Sequence, residues 1–513
     1  MRLLLRTFGL GALLLTLGSP AHADLITRDQ VVRALPEFER LAQKIVDDGG
    51  VPGLSVAIVY QDELIYLKGF GIREVGKPYL VDGDTVFQIA SLSKPVTSTV
   101  VAALVSEGLV KWESRVSDLD PAFALKDAYV TQQVTIRDFL NHRSGLPGSA
   151  GDDLEDIGFS RDEVMHQLRL VPAASSFRAG YAYSNAGFTE GALAAAKPTG
   201  KSWEEVAEEK LYRPLGMSAT SSRYADFLTR ANRSALHVGG VGNWTAKAKR
   251  DPTAQAPAGA VSGSARDLAR WIRLELAAGM FEGKRLIGAE AIAATHVPLM
   301  ARGKNPVTGA DSFYGLGWNV EYGRYGLTWG HAGAFSVGAR TLVTLYPDSD
   351  LGVLVLANAF PTGAPEGLTD SYADLVFKGA VEKDWTKDWT AIYESLFGPA
   401  VAAAKATFAA KPSPATPALP AAAYAGAYVN DYVGPANVTA DGALLTLSVG
   451  PAGKTVYPMT HFDRDLFLIY PDPETPDTPS AVSFAIGPDG KASAMTIENL
   501  NSNGLGVLAR SGE

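Results

Sequence analysis

Leu54-Ser-Val-Ala-Ile-Val-Tyr60 and Leu351-Gly-Val-Leu-Val-Leu356 are short apolar runs bounded by turn signals, and they lie almost three hundred residues apart. Each reads as a strand, and each has a hairpin partner. The first runs through Gln61-Asp62-Glu63 into Leu64-Ile-Tyr-Leu-Lys68. The second is reached from Gly338-Ala-Arg-Thr-Leu-Val-Thr-Leu-Tyr346 through Pro347-Asp-Ser-Asp350. The segments between carry mainly helical periodicity. A chain with strands at both ends and helices between is most simply an antiparallel sheet built from both ends, with the intervening helices packed on it. The expected class is therefore α/β (α+β).

Local signals place the elements around that frame. Val31, Leu35, Phe38, Leu41 and Ile45 recur at helical spacing over residues 28–48, and Gly49-Gly50 closes the run. Gly69 and Gly71 allow the backbone to bend or to pass close to another segment. Thr135 and Asp138 stand at capping-box spacing, as do Ser264 and Asp267. Asn141-His-Arg-Ser-Gly-Leu-Pro147 is rich in turn residues, and helical patches alternate with loops over residues 154–196. Residues 400–410 are alanine-rich and helical in pattern. Lys411-Pro-Ser-Pro-Ala-Thr-Pro-Ala-Leu-Pro420 then reads as a spacer. Strand-like pieces at 444–448, 466–470 and 481–485 indicate a small all-β, barrel-like domain over 421–513. The expected division is a leader over 1–23, a main domain over 24–398, a linker over 399–420 and the β-domain.

The leader expectation rests on Arg2 and Arg6, an apolar run over 8–17 too short to span a bilayer, and Ala21-His22-Ala23 before Asp24. It places the mature protein in the periplasm or outside the cell, with no membrane span. The chain has no cysteine, which removes disulfides and thiolate metal sites together. A net charge of −9, without basic clusters, argues against nucleic acid as a partner. A small molecule or peptide is the expected substrate, and the oligomeric state stays open.

The chemistry begins at Gln88-Ile-Ala-Ser91-Leu-Ser93-Lys94-Pro95, where a serine and a lysine share a helix face at i and i+3. A lysine whose pKa is lowered by desolvation can take a serine proton and make it a nucleophile. Pro95 suits a first helical turn, Gly108 suits its far end, and a helix N-terminus favours developing negative charge. Alone, Ser-x-x-Lys is a weak motif. Two later stretches strengthen it. Gly180-Tyr-Ala-Tyr183-Ser-Asn185-Ala-Gly187 offers a tyrosine as a second proton handler, read as a tyrosinate near Lys94, and an asparagine to steady Lys94 and hold a substrate carbonyl. Trp329-Gly-His331-Ala-Gly333-Ala334 precedes the second hairpin. There an edge-strand Gly333 lets a substrate backbone lie alongside, and His331 supplies a positive or hydrogen-bonding group. The N–H groups of Ser91 and Ala334 would form the oxyanion hole. Tyr428-Val-Asn430 and His237-Val-Gly239 match the same short patterns and serve as decoys, with His237 read as part of a Gly-rich loop.

Together, Ser91-Leu-Ser-Lys94, Tyr183-Ser-Asn185 and His331-Ala-Gly333 resemble the three signatures of the serine β-lactamase and penicillin-binding-protein superfamily. The Tyr-x-Asn and His-x-Gly forms resemble its class C β-lactamase, DD-carboxypeptidase, D-aminopeptidase and esterase branch. Residues around Val51-Pro-Gly, 141–147 and 258–269 look familial too, and the likeness spans about 30–385. It implies a sheet flanked by helices with the site against an all-helical region, and a small appended β-domain. It also implies acylation of Ser91, a base role shared by Lys94 and Tyr183, and substrate binding by Asn185. Histidine stands where many β-lactamases and transpeptidases have lysine, which leaves peptidase and esterase open beside β-lactam hydrolysis. The rival from another class is a binder of peptides or cell-wall fragments that turns nothing over. No Gly-x-Ser-x-Gly elbow and no His-Glu-x-x-His occur, and His142, His166, His296 and His461 read as surface or loop residues without ligand spacing. The expected hydrolase is metal-independent and uses no cofactor.

Overall fold

The computed structural model describes residues 26–247, 249–471 and 477–512. The expected leader thus lies outside the described residues. Helix α1 (Arg28–Asp47) opens in a reciprocal capping box between Thr27 and Gln30. Strands β1 (Gly53–Tyr60) and β2 (Glu63–Gly71) form the first hairpin, with Gln61 and Asp62 at positive φ in its turn. Gly69 is required by contact, since a Cβ there would sit 2.2 Å from the Val81 carbonyl oxygen.

The long insertion that follows is mostly helical and includes α2 (Ser93–Ser106), α3 (Ile136–Leu140), α4 (Asn185–Ala196) and α5 (Ala265–Leu276). The chain then returns to the sheet as β3 (Met300–Lys304), β4 (Asp311–Tyr314), β5 (Asn319–Gly323), β6 (Gly326–Phe335), β7 (Ala339–Tyr346) and β8 (Leu351–Ala357). The strand order is β2-β1-β8-β7-β6-β5-β4-β3, and every pairing is antiparallel. β1 lies directly against β8, with Leu54 opposite Ala357 and Tyr60 opposite Leu351. The two ends of the unit meet inside the sheet, as the paired apolar runs require.

Both faces of those central strands are buried. Val56, Ile58, Val353 and Val355 pack against Phe38 of α1 and Tyr372 of α6 (Ala364–Lys378). Ala57, Val59, Leu354 and Leu356 join Trp271 and Ile272 of α5 on the side of the helical body. Burial on both faces is why β1 and β8 read as continuous rather than alternating apolar runs. Each fully buried Val or Leu contributes about 1.5–3 kcal/mol, so this seam anchors the sheet.

A single carboxylate organises the helical body near the site. Thr135 and Asp138 form the capping box that starts α3. The fully buried Asp138 side chain also accepts from Arg143 Nε at 2.7 Å and Arg178 Nη2 at 2.7 Å. It thereby closes the excursion between residues 143 and 178 and delivers the chain to Tyr181–Asn185. Ser264 caps α5 as expected, but Asp267 turns away to accept from Ala219 N and Thr220 Oγ1.

Helix α7 (Trp385–Ala409) takes the first part of the expected 399–420 spacer into regular structure, and the proline-rich remainder is irregular. Eight strands follow, from β9 (Gly426–Asn430) to β16 (Val507–Arg510). They form a closed barrel sealed by β9–β16 pairing with Tyr428 opposite Arg510. Among the described residues no helix is long and apolar enough to cross a membrane.

Candidate active site

The Ser91 turn sits where the helical body meets strand β6. Ser91 lies in a 3₁₀ turn, Ala90–Leu92, one step ahead of α2. Ala90 holds φ at +49°, an unusual value for a non-glycine residue, so the turn into Ser91 is strained. Gly108 takes positive φ just past the other end of α2, as its sequence position suggested.

Lys94 is fully buried in the first turn of α2. Its Nζ stands 3.3 Å from Ser91 Oγ and donates to Asn185 Oδ1 at 2.7 Å and to the Ala258 carbonyl at 3.1 Å. It also lies 4.4 Å from the centroid of the Tyr183 ring. Burial lowers the Lys94 pKa to about 7, with the negative charge of Asp152 opposing the shift. The Tyr183 hydroxyl faces Ser91, and burial raises its pKa well above the ordinary value. Burial therefore keeps Tyr183 protonated in the resting site, against the expectation of a resting tyrosinate. Asn185 begins α4, whose N-cap Ser184 accepts from Gly187 N.

Strand β6 supplies the opposite wall. β5 pairs with β6 only from Gly326 to Gly330, so the stretch from His331 to Phe335 has a free edge on that side. β6 is thus an interior strand with a local edge, rather than the edge strand expected. Gly333 is buried, and a Cβ there would lie 2.1 Å from the Ile89 carbonyl and 2.8 Å from Leu92 N. Its missing side chain makes room for the Ser91 turn itself. Thr341 Oγ1 of β7 donates to the same Ile89 carbonyl at 2.8 Å and fastens turn to sheet. Ala334 follows on the same free stretch.

His331 is buried and neutral. Its Nδ1 donates to the Ala332 carbonyl at 2.6 Å, so Nε2 accepts from the Tyr314 hydroxyl at 3.0 Å. Burial, with Lys94 nearby, lowers its pKa to about 3, so of the two expected roles, positive or hydrogen-bonding, the neutral ring takes the second. Its ring centroid is 6.2 Å from that of Tyr183.

The sequence reading passed over His142 and Tyr314. His142 and His296 lie in turns, one of the two positions expected of them, but they are buried rather than on the surface. His142 packs on Tyr183 at a centroid distance of 4.4 Å, and its Nδ1 accepts from Ser184 N at 3.1 Å. His296 stacks on Trp329 at 3.7 Å. The turn-rich stretch at 141–147 flagged the neighbourhood of His142, but nothing local ties that ring to Tyr183. Tyr314, on β4, carries no sequence signal at all. The decoys are structural. His237 lies in a short strand, His237–Gly240, rather than a loop, and its ring nitrogens meet the Asn358 carbonyl and Val75 N. Tyr428 and Asn430 bond within the barrel, to the Tyr424 and Leu505 carbonyls.

The chain is similar to known proteins over most of its length. The beta-lactamase family matches residues 38–377, and a domain of unknown function, DUF3471, matches residues 410–505. An unguisins hydrolase of Aspergillus campestris is 27% identical over 493 residues, covering 90% of this chain and 89% of its own. The D-alanyl-D-alanine-carboxypeptidase/endopeptidase AmpH of Escherichia coli (strain K12) is 25% identical, covering 66% of this chain and 89% of its own. The octameric penicillin-binding protein homologue from Pyrococcus abyssi shares the fold at a TM-score of 0.56 and 19% identity, covering 90% of this chain and 98% of that one.

Proposed function

We infer, from the premise that the chain belongs to the beta-lactamase family, that it is a metal-independent serine hydrolase working through an acyl-enzyme on Ser91. The observation that carries the reading is the buried Lys94 amine, 3.3 Å from Ser91 Oγ with its pKa lowered to about 7. A group so poised is half neutral near neutral pH and accepts a proton without prior activation.

In this reading Ser91 Oγ attacks the substrate carbonyl carbon while its proton passes to Lys94 Nζ. The developing oxyanion is received by the N–H groups of Ser91 and Ala334. Tyr183, kept protonated by burial, donates its proton to the departing nitrogen or oxygen as the scissile bond breaks, and is reprotonated by the Lys94 ammonium. Water then attacks the ester carbonyl, the same pair accepts its proton, and Ser91 is returned its own as the acid leaves. Asn185 steadies Lys94 through Oδ1 and offers its amide nitrogen to a substrate carbonyl. His331 and Gly333 shape the wall along which the substrate backbone runs, with the free edge of β6 providing main-chain partners.

An amide in a peptide or D-amino-acid peptide is the first substrate class, supported by that free strand edge. The site of action is the periplasm or the cell exterior. A fluorophosphonate probe should label the wild type and leave Ser91→Ala unlabelled; equal labelling of both would sink the acyl-enzyme. A panel of D- and L-peptides, carboxylic esters and β-lactams then reads the class, and turnover of esters alone would displace the amide reading. An acyl adduct that persists for hours with no turnover on any of them would favour the binding-protein rival.

A further inference from the structure

The barrel is seated on residues 151–168 of the helical body, and it holds that segment at several points. Tyr432, only 2% exposed, donates its hydroxyl to Asp153 Oδ1 at 2.6 Å, and Gly151 N faces the same hydroxyl. Gln167 Nε2 donates to the Asp431 and Tyr432 carbonyls at 2.8 and 2.9 Å. Thr455 Oγ1 donates to the Ile157 carbonyl at 2.9 Å, and a Cβ on Gly450 would lie 2.1 Å from that same oxygen. The apolar contact is continuous, with Leu154, Ile157 and Leu168 in one buried cluster with Tyr432 and Val433.

Between the two residues that Tyr432 holds lies Asp152. Its Oδ1 accepts from Gln255 Nε2 at 2.8 Å. Gln255 leads directly into the short helix Ala256–Gly259, whose Ala258 carbonyl accepts from Lys94. Glu155, Arg250, Asp153 and Lys94 are the charged groups that act on Asp152, and Arg250 is paired with Glu155 at 2.9 Å. Asp152 in turn supplies the negative charge felt at Lys94.

We propose that the barrel is a working part of the hydrolase site, in which Tyr432 is a positioning residue that fixes the Gly151–Asp153 turn and so holds the Asp152 carboxylate toward Lys94. The proposal rests on the hydrolase reading above and gives the DUF3471 region a role in it. The sign of the effect follows from charge. Burial, with Glu155 beside it, raises the Asp152 pKa to about 7 although Lys94 and Arg250 oppose this, so Asp152 and Lys94 titrate together. Where Asp152 is ionised it stabilises the ammonium, so removing or displacing it lowers the pH at which the amine becomes neutral. The acid limb of Ser91 reactivity should therefore move toward lower pH.

The test is the pH dependence of fluorophosphonate labelling of Ser91 in the full chain, for wild type, Tyr432→Phe, Asp152→Asn and the double variant. Tyr470→Ala, at an exposed barrel position, serves as the control. Asp152→Asn should shift the acid limb down by about half a pH unit or more, and Tyr432→Phe should shift it the same way by less. In the double variant Tyr432→Phe should add nothing further, since both act on one carboxylate. Thermal melts separate this from a loss of folding, and Asp152→Asn carries the test if Tyr432→Phe is unstable. An unlabelled wild type would overturn the hydrolase reading and this proposal with it. Labelling whose acid limb is unmoved in Asp152→Asn, or moved equally by Tyr470→Ala, would overturn the proposal and leave the hydrolase standing.

Discussion

Among the described residues, Lys94 has three oxygens around its amine and no carboxylate hydrogen-bonded to it. That arrangement suits an amine that must lose and regain a proton, because a paired carboxylate would hold it charged. With its pKa lowered to about 7, kcat/KM for the preferred substrate should rise with pH to a midpoint near 7. Lys94→Arg, charged at every accessible pH, should lose roughly a hundredfold or more across the whole range. A flat profile between pH 6 and 8, or an active Lys94→Arg variant, would remove lysine from the base role. His331 teaches the complementary lesson at this scale. Its residue type was legible, but its neutral charge is set by burial and the nearby Lys94, and its tautomer by Tyr314 and the Ala332 carbonyl, surroundings that only folding supplies.

Among elements, the short helix α3 does more than its five residues suggest. Asp138, the helical member of its capping box, also binds Arg178 and Arg143, and those hydrogen bonds hold its carboxyl below the ordinary value of 3.8 although burial opposes this. Arg178 is partly exposed, so its share is screened. Asp138→Ala leaves the two guanidinium groups and the Thr135 cap without their acceptor and should cost on the order of 3 kcal/mol, read as a drop in melting temperature at pH 7. The folded-state pKa is depressed, so this contribution is present above the unfolded value and lost as pH falls through the folded one. The gap in melting temperature between wild type and variant should therefore narrow below about pH 4. A gap that stays constant down to pH 2 would assign the cost to packing instead. The capping box was visible at Thr135 and Asp138; the two arginines, five and forty residues on, were not. A capping motif is a local hydrogen-bond pattern, whereas the ion pairs depend on how the loop from 143 to 178 folds back.

At the scale of the molecule, the barrel and the helical body share one apolar cluster. A chain ending after Pro420 would expose Leu154, Ile157 and Leu168 and leave Gln167 and Asp153 without their barrel partners. Its melting temperature should fall by about 5 °C or more relative to the full chain, measured by differential scanning calorimetry. An unchanged melt would mean that the two parts fold independently. The sequence alone determined the hairpins, the buried seam of the sheet, the all-β character of the tail and the order of the three chemical motifs. Each of these is written in periodicity, turn residues or short spacing. Only the tertiary structure decided that Gly333 gives way to the Ser91 turn, that His142 packs on Tyr183, and that a tyrosine from the far β-domain reaches Asp153, next to Asp152. Those contacts join residues tens to hundreds of positions apart, and the pairing of buried polar groups across such distances leaves no local pattern to read.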